Sequence, residues 1–309
     1  MALSKIDAAG LDIGQIGGRR NLIINGAMQV AQRGTSVSGL TSGGYYTVDR
    51  FKFDCNQATW TLSQESDAPT EAGLSKSAKY LITTAKTPLD AGGYARHAYR
   101  IEGQDLASIA KGSADAKEVT VSFWVKSNKT GTYILECYDT DNTRQISKSY
   151  TIDSSGTWEK KIITFAGDTS GTLTLDNTTS LHLQWMLLAG SNYTTGTLST
   201  TWTAPNNVDR YPGQVNLADA TNNYWQITGV QLEVGSVATP FEHRSFGEEL
   251  QLCSRYFQKS YEYSTVIGAT TYFGINGQTG SVAGATASFL ADEIKFPVRM
   301  RDDATVISY

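Results

Sequence analysis

The stretch NYWQITGVQLEVG, Asn223–Gly235, decides the fold. It is apolar and β-branched enough for a strand, yet its alternation breaks once. Trp225 and Ile227 share one parity, while Val230, Leu232 and Val234 share the other. Side chains alternate between the two faces of a strand, so an unbroken ladder would turn half of these residues to water. One extra residue near Thr228-Gly229 restores a single buried face, and glycine tolerates such a bulge. The segment therefore reads as the bulged closing strand of a curved, two-layer sheet.

Upstream of it, strand signals with turn punctuation recur from Tyr45 onward: VDRFKFD, ATWTLSQE, KYLITTA, VTVSFWVKS, TGTYILECYD, EKKIITFAG and SLHLQWMLLAG. In VTVSFWVKS, Val119, Val121, Phe123 and Val125 share one face and Thr120, Ser122 and Trp124 the other. In SLHLQWMLLAG, Leu181, Leu183, Trp185 and Leu187 align. Roughly eight to ten short strands, with no alternating helical pattern and no fixed-period repeat, predict an all-β antiparallel sandwich or jelly roll. A short helix is expected in DLASIAKG, capped by Asp105 and ended by Gly112.

Downstream, GSVATPFEHRS reads as an extended linker. Pro240 cannot donate to a ladder and biases Thr239 toward extended geometry. Ser245 with Glu248 fits a capping box, and Phe246, Leu250, Cys253 and Phe257 form one helical stripe. The expected plan is an N-terminal arm over 1–44, a β-sandwich over 45–243, and a short helix with a smaller β-rich C-terminal domain over 244–309. Within the arm, NLIINGAMQVAQRG carries the turn dipeptide Asn25-Gly26 and reads as a small hairpin or a lead-in strand. The last domain draws its strands from STVIGATTYFGI, TASFLADEIKF and TVISY. An apolar final strand predicts pairing with another subunit, or a domain left incomplete at Tyr309.

Composition narrows the function. Charged residues make up 18% of the 309, below the roughly 25% of an ordinary globular domain. A net charge of −4 without a basic block argues against nucleic acid. No apolar run approaches the roughly 20 residues of a membrane span. The opening MALSKIDAAGLDIGQIGG has neither a charged nor an apolar signal region, so synthesis in a cytoplasm is expected. Cys55, Cys137 and Cys253 lack metal or disulfide spacing and read as buried thiols. His97, His182 and His243 make a poor metal set, and His182 reads as a hydrogen-bonded structural residue. The sequons at Asn128, Asn177 and Asn192 are taken as chance.

The chemistry points away from catalysis. No GxSxG, HExxH, P-loop or GxGxxG motif is present. The loop acids Asp139, Asp141, Asp153, Asp168 and Asp176 offer no evident pair for glycan hydrolysis. YDTDNTR has the oxygen density of a calcium loop but lacks its glycine and distal glutamate, so it reads as a hairpin turn. No cofactor is expected, with a structural calcium elsewhere in the sandwich left open. Tyr193, Trp202 and Tyr211 lie in the polar run GSNYTTGTLSTTWTAPNNVDRYPGQ and are the carbohydrate-binding candidates. Their other role would be to cover the sandwich ends or meet a neighbouring subunit. Trp124, Trp185 and Trp225 sit in strands and read as packing residues. The stripe Phe246, Leu250, Cys253 and Phe257 packs either on its own sandwich or on the same helix of other subunits. The strands that follow it show no self-contained core, which favours an oligomer interface.

NLIINGAMQVAQRGTS, VTVSFWVKS and GVQLEVGSVATPFEHRSFGEELQLCSRYF together resemble a family of bacteriophage fibre proteins, especially those of marine phages. The likeness runs from Asn21 to Phe257, and FPVRMRDDATV is similar to the start of that family's distal β domain. The resemblance implies a homotrimeric virion appendage with a carbohydrate-binding, jelly-roll-like middle domain. Its partners would be host surface polysaccharide and, through the N-terminal arm, other virion proteins. SFWVKS, WEKKIITF and GVQLEVG also resemble carbohydrate-binding jelly rolls. A spacer or capsid decoration is the structural alternative and a glycan depolymerase the enzymatic one.

Overall fold

Period-two alternation becomes two antiparallel sheets packed face to face. The computed structural model describes residues 19–265, 267 and 296–305. One sheet has six strands, in the order β1 (Ser36–Leu40), β3 (Thr59–Glu65), β4 (Ser77–Thr84), β11 (Tyr224–Val234), β6 (Val119–Ser127) and β9 (Glu159–Phe165). The other has five: β2 (Phe51–Cys55), β5 (Tyr94–Glu102), β10 (Thr179–Ala189), β7 (Gly131–Asp139) and β8 (Arg144–Ile152). The chain is the all-β sandwich its alternation predicts. Three strands, β1, β5 and β8, were not among the sequence-read segments.

The β11 bulge has a structural cause. Residues 224–227 of β11 pair with β4, and the register against β6 shifts between Thr228 and Gln231. Beyond the shift, the N-terminal segment takes the place of β4. Leu22 N donates to Leu232 O at 3.0 Å, and Val230 N donates to Gly26 O at 2.9 Å. The bulge thus marks where β11 changes neighbours. Trp225, Ile227, Val230 and Leu232 are all buried as a result. Gly26 permits the approach, because a Cβ there would lie 2.1 Å from Val230 O. The segment 21–28 is therefore part of the sandwich rather than of a separate arm, and Leu22, Ile23 and Met28 join its core. Asn25-Gly26 does turn, but the chain forms no hairpin strands around it.

Aromatic rings fill the space between the sheets. His97 stacks on Phe51 at a centroid distance of 4.7 Å and packs against Trp185 at 5.4 Å and Trp225 at 5.7 Å. Its Nδ1 pairs with the Tyr80 hydroxyl. All three cysteines are buried free thiols. The expected helix at 105–112 is instead a 3₁₀ turn over Gly103–Ile109, ended by Ala110 in the left-handed region. A 3₁₀ turn aligns positions i and i+3, which suits the buried pair Leu106 and Ile109.

The linker and helix fold back on the sandwich. Gln231 and Glu233, on the outer face of β11, hold the linker. Gln231 Oε1 accepts from Glu242 N at 2.8 Å, and Glu233 Oε2 accepts from Thr239 N at 3.0 Å. Ser245 caps α1 (Phe246–Ser254), its Oγ accepting from Glu248 N at 3.3 Å. Glu249, buried on this helix, accepts from Asn25 N at 2.5 Å and faces Arg244 at 3.4 Å. Arg244 in turn donates to Ile23 O at 3.0 Å and Asn21 O at 2.5 Å. Residues 21–34 and 242–257 therefore form one clasp. The strands expected in STVIGATTYFGI, TASFLADEIKF and TVISY fall largely outside the described residues.

Candidate functional site

The outer face of the five-stranded sheet gathers polar and aromatic side chains at the outward positions of its central strands. Arg96, Ala98 and Arg100 alternate outward on β5, with His97 and Tyr99 pointing to the core. On β10 the outward positions are His182, Gln184 and Met186, and on β7 they are Ile134, Glu136 and Tyr138. Register then makes rows. Arg100, His182 and Tyr138 lie side by side across three strands. Lys52, Ala98, Gln184 and Glu136 form the next row.

The loop 190–216 closes one corner of this face. Ile134, Met186, Ala189 and Tyr211 pack together, with Tyr193 and Leu198 against them. Arg210 grips Glu136 with two bonds of 2.7 and 2.6 Å, and the Tyr211 hydroxyl donates to the same carboxylate at 2.9 Å. The Arg210 guanidinium also lies 5.4 Å from the Tyr138 ring centroid, forming a cation–π contact. Outside the loop, Tyr138, His182, Arg96, Arg100 and Lys52 stay half-buried and reach solvent.

The unpaired groups are informative. Gln184 is 2% exposed and its Oε1 has no hydrogen-bond partner among the described residues. Its oxygen is enclosed as well, so this amide lies beneath the row of Arg100, His182 and Tyr138 rather than at the surface. Burial pushes His182 down to about 4, and the positive charges of Arg100 and Arg96 add to the effect, so its ring stays neutral near pH 7. The ring sits 6.4 Å from that of Tyr138. A strip with a tyrosine ring, guanidinium donors and a neutral imidazole can stack on a sugar ring and hydrogen-bond its hydroxyls.

The sequence-read candidates occupy other roles. Tyr211 is 1% exposed, so it cannot present its ring to a ligand; it packs under the loop and orients Glu136. Tyr193 contacts Tyr94 and Tyr211 as part of the same packing. Trp202 sits apart, its Nε1 donating to Ala166 O at 2.7 Å and its ring 5.1 Å from Lys111 Nζ. These three fasten the loop and do not converge on one surface. The residues that do converge were legible in principle. His182 and Gln184 alternate with the apolar set of β10, and Arg96 and Arg100 alternate with the inward residues of β5. His182 makes no side-chain hydrogen bond among the described residues, contrary to the structural role expected of it.

Of the stripe on α1, Cys253 is 0% exposed and packs on Ile24 and Val30. Leu250 is partly buried against the same cluster, and the Phe257 ring lies 3.7 Å from the Arg33 guanidinium. Cys253 therefore has no surface left for a partner subunit. Phe246, 45% exposed beside Tyr263, retains one.

The acidic loop at 139–142 is a hairpin turn, with Asp139 Oδ1 accepting from Asp141 N at 2.9 Å and Asn142 N at 3.0 Å. Its other oxygen accepts from Lys111 Nζ at 2.5 Å. The same ammonium meets Asp168 at 3.0 Å and the carbonyls of Ser170 and Gly171 at 3.0 Å each. A lysine ammonium thus sits between the two carboxylates. Among the described residues, no group of three or more His, Cys, Asp or Glu side chains is placed to hold a metal ion.

Fold and site together define a β-sandwich protein with a partly covered polar sheet face. No protein-family model and no curated relative matches the sequence. Among solved structures, the enzymatically active domain of tailspike protein 4 from bacteriophage CBA120 is similar over 72% of this chain and 23% of its own, with 12% identity and a TM-score of 0.38. The chain thus spans about a quarter of that tailspike domain. A family 61 carbohydrate-binding module in complex with β-1,4-galactotriose is similar over 70% of this chain and 99% of its own, at 10% identity and a TM-score of 0.34. The family 11 module from Clostridium thermocellum, in complex with a mixed-linked tetrasaccharide, covers 66% and 98%, at 13% identity and 0.32. Scores and identities this low carry no argument about what this chain binds.

Proposed function

We propose that this protein binds glycans through the outer face of its five-stranded sheet and serves as a homotrimeric phage appendage attaching the virion to host surface polysaccharide. The observation that carries the binding part is the solvent-reaching row Arg100, His182 and Tyr138. The appendage part rests on the fibre-like phrases NLIINGAMQVAQRG and GVQLEVG with TPFE. In this reading the N-terminal residues dock to other virion proteins.

The role is binding rather than hydrolysis. Glycan hydrolysis needs one carboxyl group to donate a proton. The face carries Asp54, paired with Lys52 at 2.7 Å, and Glu136, held by Arg210 and Tyr211. Both carboxylates are taken up in these pairs rather than open to a substrate. A shallow site with a Kd of about 1 mM corresponds to roughly −4 kcal/mol. Three copies on one rigid assembly raise avidity by about 10² to 10⁴ without new contacts.

Affinity electrophoresis of the whole protein in gels containing host polysaccharide tests this. Retardation that is lost in a Tyr138→Ala, His182→Ala double variant supports it. Unretarded migration, together with normal adsorption of particles lacking the protein, would favour a structural spacer.

A further inference from the structure

The charge on the face goes beyond a generic sugar site. Its outward positions carry Lys52 and Asp54 on β2, Arg96 and Arg100 on β5, and Glu136 on β7, with Arg210 reaching in from the loop. That is four cations against two carboxylates, on a chain whose formal net charge is −4. At the clasp end of β5, Glu102 and Arg255 cancel each other at 2.8 Å.

The cations are not equally occupied. Arg210 is committed to Glu136, and Lys52 to Asp54 at 2.7 Å. Arg96 faces Asp54 at the longer distance of 3.6 Å. The Arg100 guanidinium makes no ion pair and no hydrogen bond among the described residues. It stands next to His182, and the short side chain of Ala98 separates it from Arg96 on the same face. A half-buried, unpaired guanidinium beside a second partly paired one is an incomplete charge arrangement.

We propose, building on the glycan-binding reading, that the face selects acidic saccharides, and that Arg100 receives the sugar carboxylate. A guanidinium presents a planar fork of donors that matches a carboxylate with two parallel bonds. His182 and Tyr138, in the same row, then meet the ring and its hydroxyls. Two inter-strand spacings take the row across about 10 Å, enough to engage more than one sugar.

Calorimetric titration of the full chain with polygalacturonate, with alginate, with a neutral galactan and with single-stranded oligothymidylate tests the inference. The expected result is uronate binding at least tenfold tighter than galactan, weakening as sodium chloride rises, with no binding of the oligonucleotide. Arg100→Gln should lose about tenfold for the uronates, while Lys160→Gln, exposed on the other sheet, should lose none. Thermal melts of both variants check that they fold. Equal affinity for galactan and uronates, or an unaffected Arg100→Gln, overturns this inference and leaves glycan binding standing. Equal binding of the oligonucleotide reduces it to unspecific charge and overturns it too. Binding of no polymer at all sinks the glycan reading along with it.

Discussion

Gly229 has φ of 60°, and a Cβ there would lie 2.8 Å from Leu74 and 3.1 Å from Trp124. Gly229→Val should therefore cost about 2–4 kcal/mol, from backbone strain and overpacking combined, measured by urea unfolding. The broken alternation of the strand announced this bulge; what the sequence could not show was that residues 21–26 lie alongside it. A second prediction concerns His97. Burial pushes it down to about 3 from an ordinary 6.5, so the folded state stays neutral where the unfolded chain takes up a proton. Stability is full above about pH 6.5 and falls as pH drops toward 3, by up to about 1.4 kcal/mol per unit. His182, pushed down to about 4, adds a smaller share because it is partly exposed. Urea titrations between pH 7 and 5 should show a shallower acid slope for His97→Gln than for the wild type.

At the scale of elements, the sequence was most legible where apolar alternation was clean. VTVSFWVKS became β6 with the expected face buried, and Ser245 capped α1 as its spacing implied. The strands β5 and β8 were hidden for a shared reason. YARHAYRIE carries arginines on its outer face and a histidine toward the core, and Lys148 interrupts the inward apolar set of β8. Most of the candidate site lies on the polar outward positions of its strands, where no apolar alternation marks them, whereas the loop aromatics stand out in a polar run yet fold inward. Two clusters test how these elements are held. Lys111 sits between Asp139 and Asp168, all three almost fully buried. Lys111→Met should lower stability by about 3 kcal/mol by leaving buried Asp139 without its cation, while Asp168 keeps Arg144 at 2.7 Å. Glu249→Ala removes the acceptor for Asn25 N and the partner of Arg244, and about 3 kcal/mol should go with it. Limited proteolysis should then cut within 235–257 before it cuts the sheets.

For the whole molecule, the trimer is the testable claim. Sedimentation equilibrium of the full chain should give three times the monomer mass of 33.5 kDa. Phe246→Ser, which alters the one stripe residue more than a third exposed, should shift that mass downward if the helix stripe meets its copies. An unchanged trimer would move the contact elsewhere.

The clasp also determines how the protein would answer to tension. Asn21 N donates to Glu242 at 2.6 Å, Asn25 N to Glu249 at 2.5 Å, and Gln32 Nε2 to Phe257 O at 2.8 Å. The two segments run in the same direction. A pull on the flanking chain before residue 21 and after residue 257 loads these bonds in shear, all together rather than one after another. Force then passes through the clasp and the segment beside β11, and the five-stranded sheet lies off the line of stress. That sheet hangs like a pennant from a taut cord, free to keep its grip on a surface while the strand that carries it is stretched. In an optical trap, such loading should give a first, short rupture from the clasp, well separated from the later opening of the sheets.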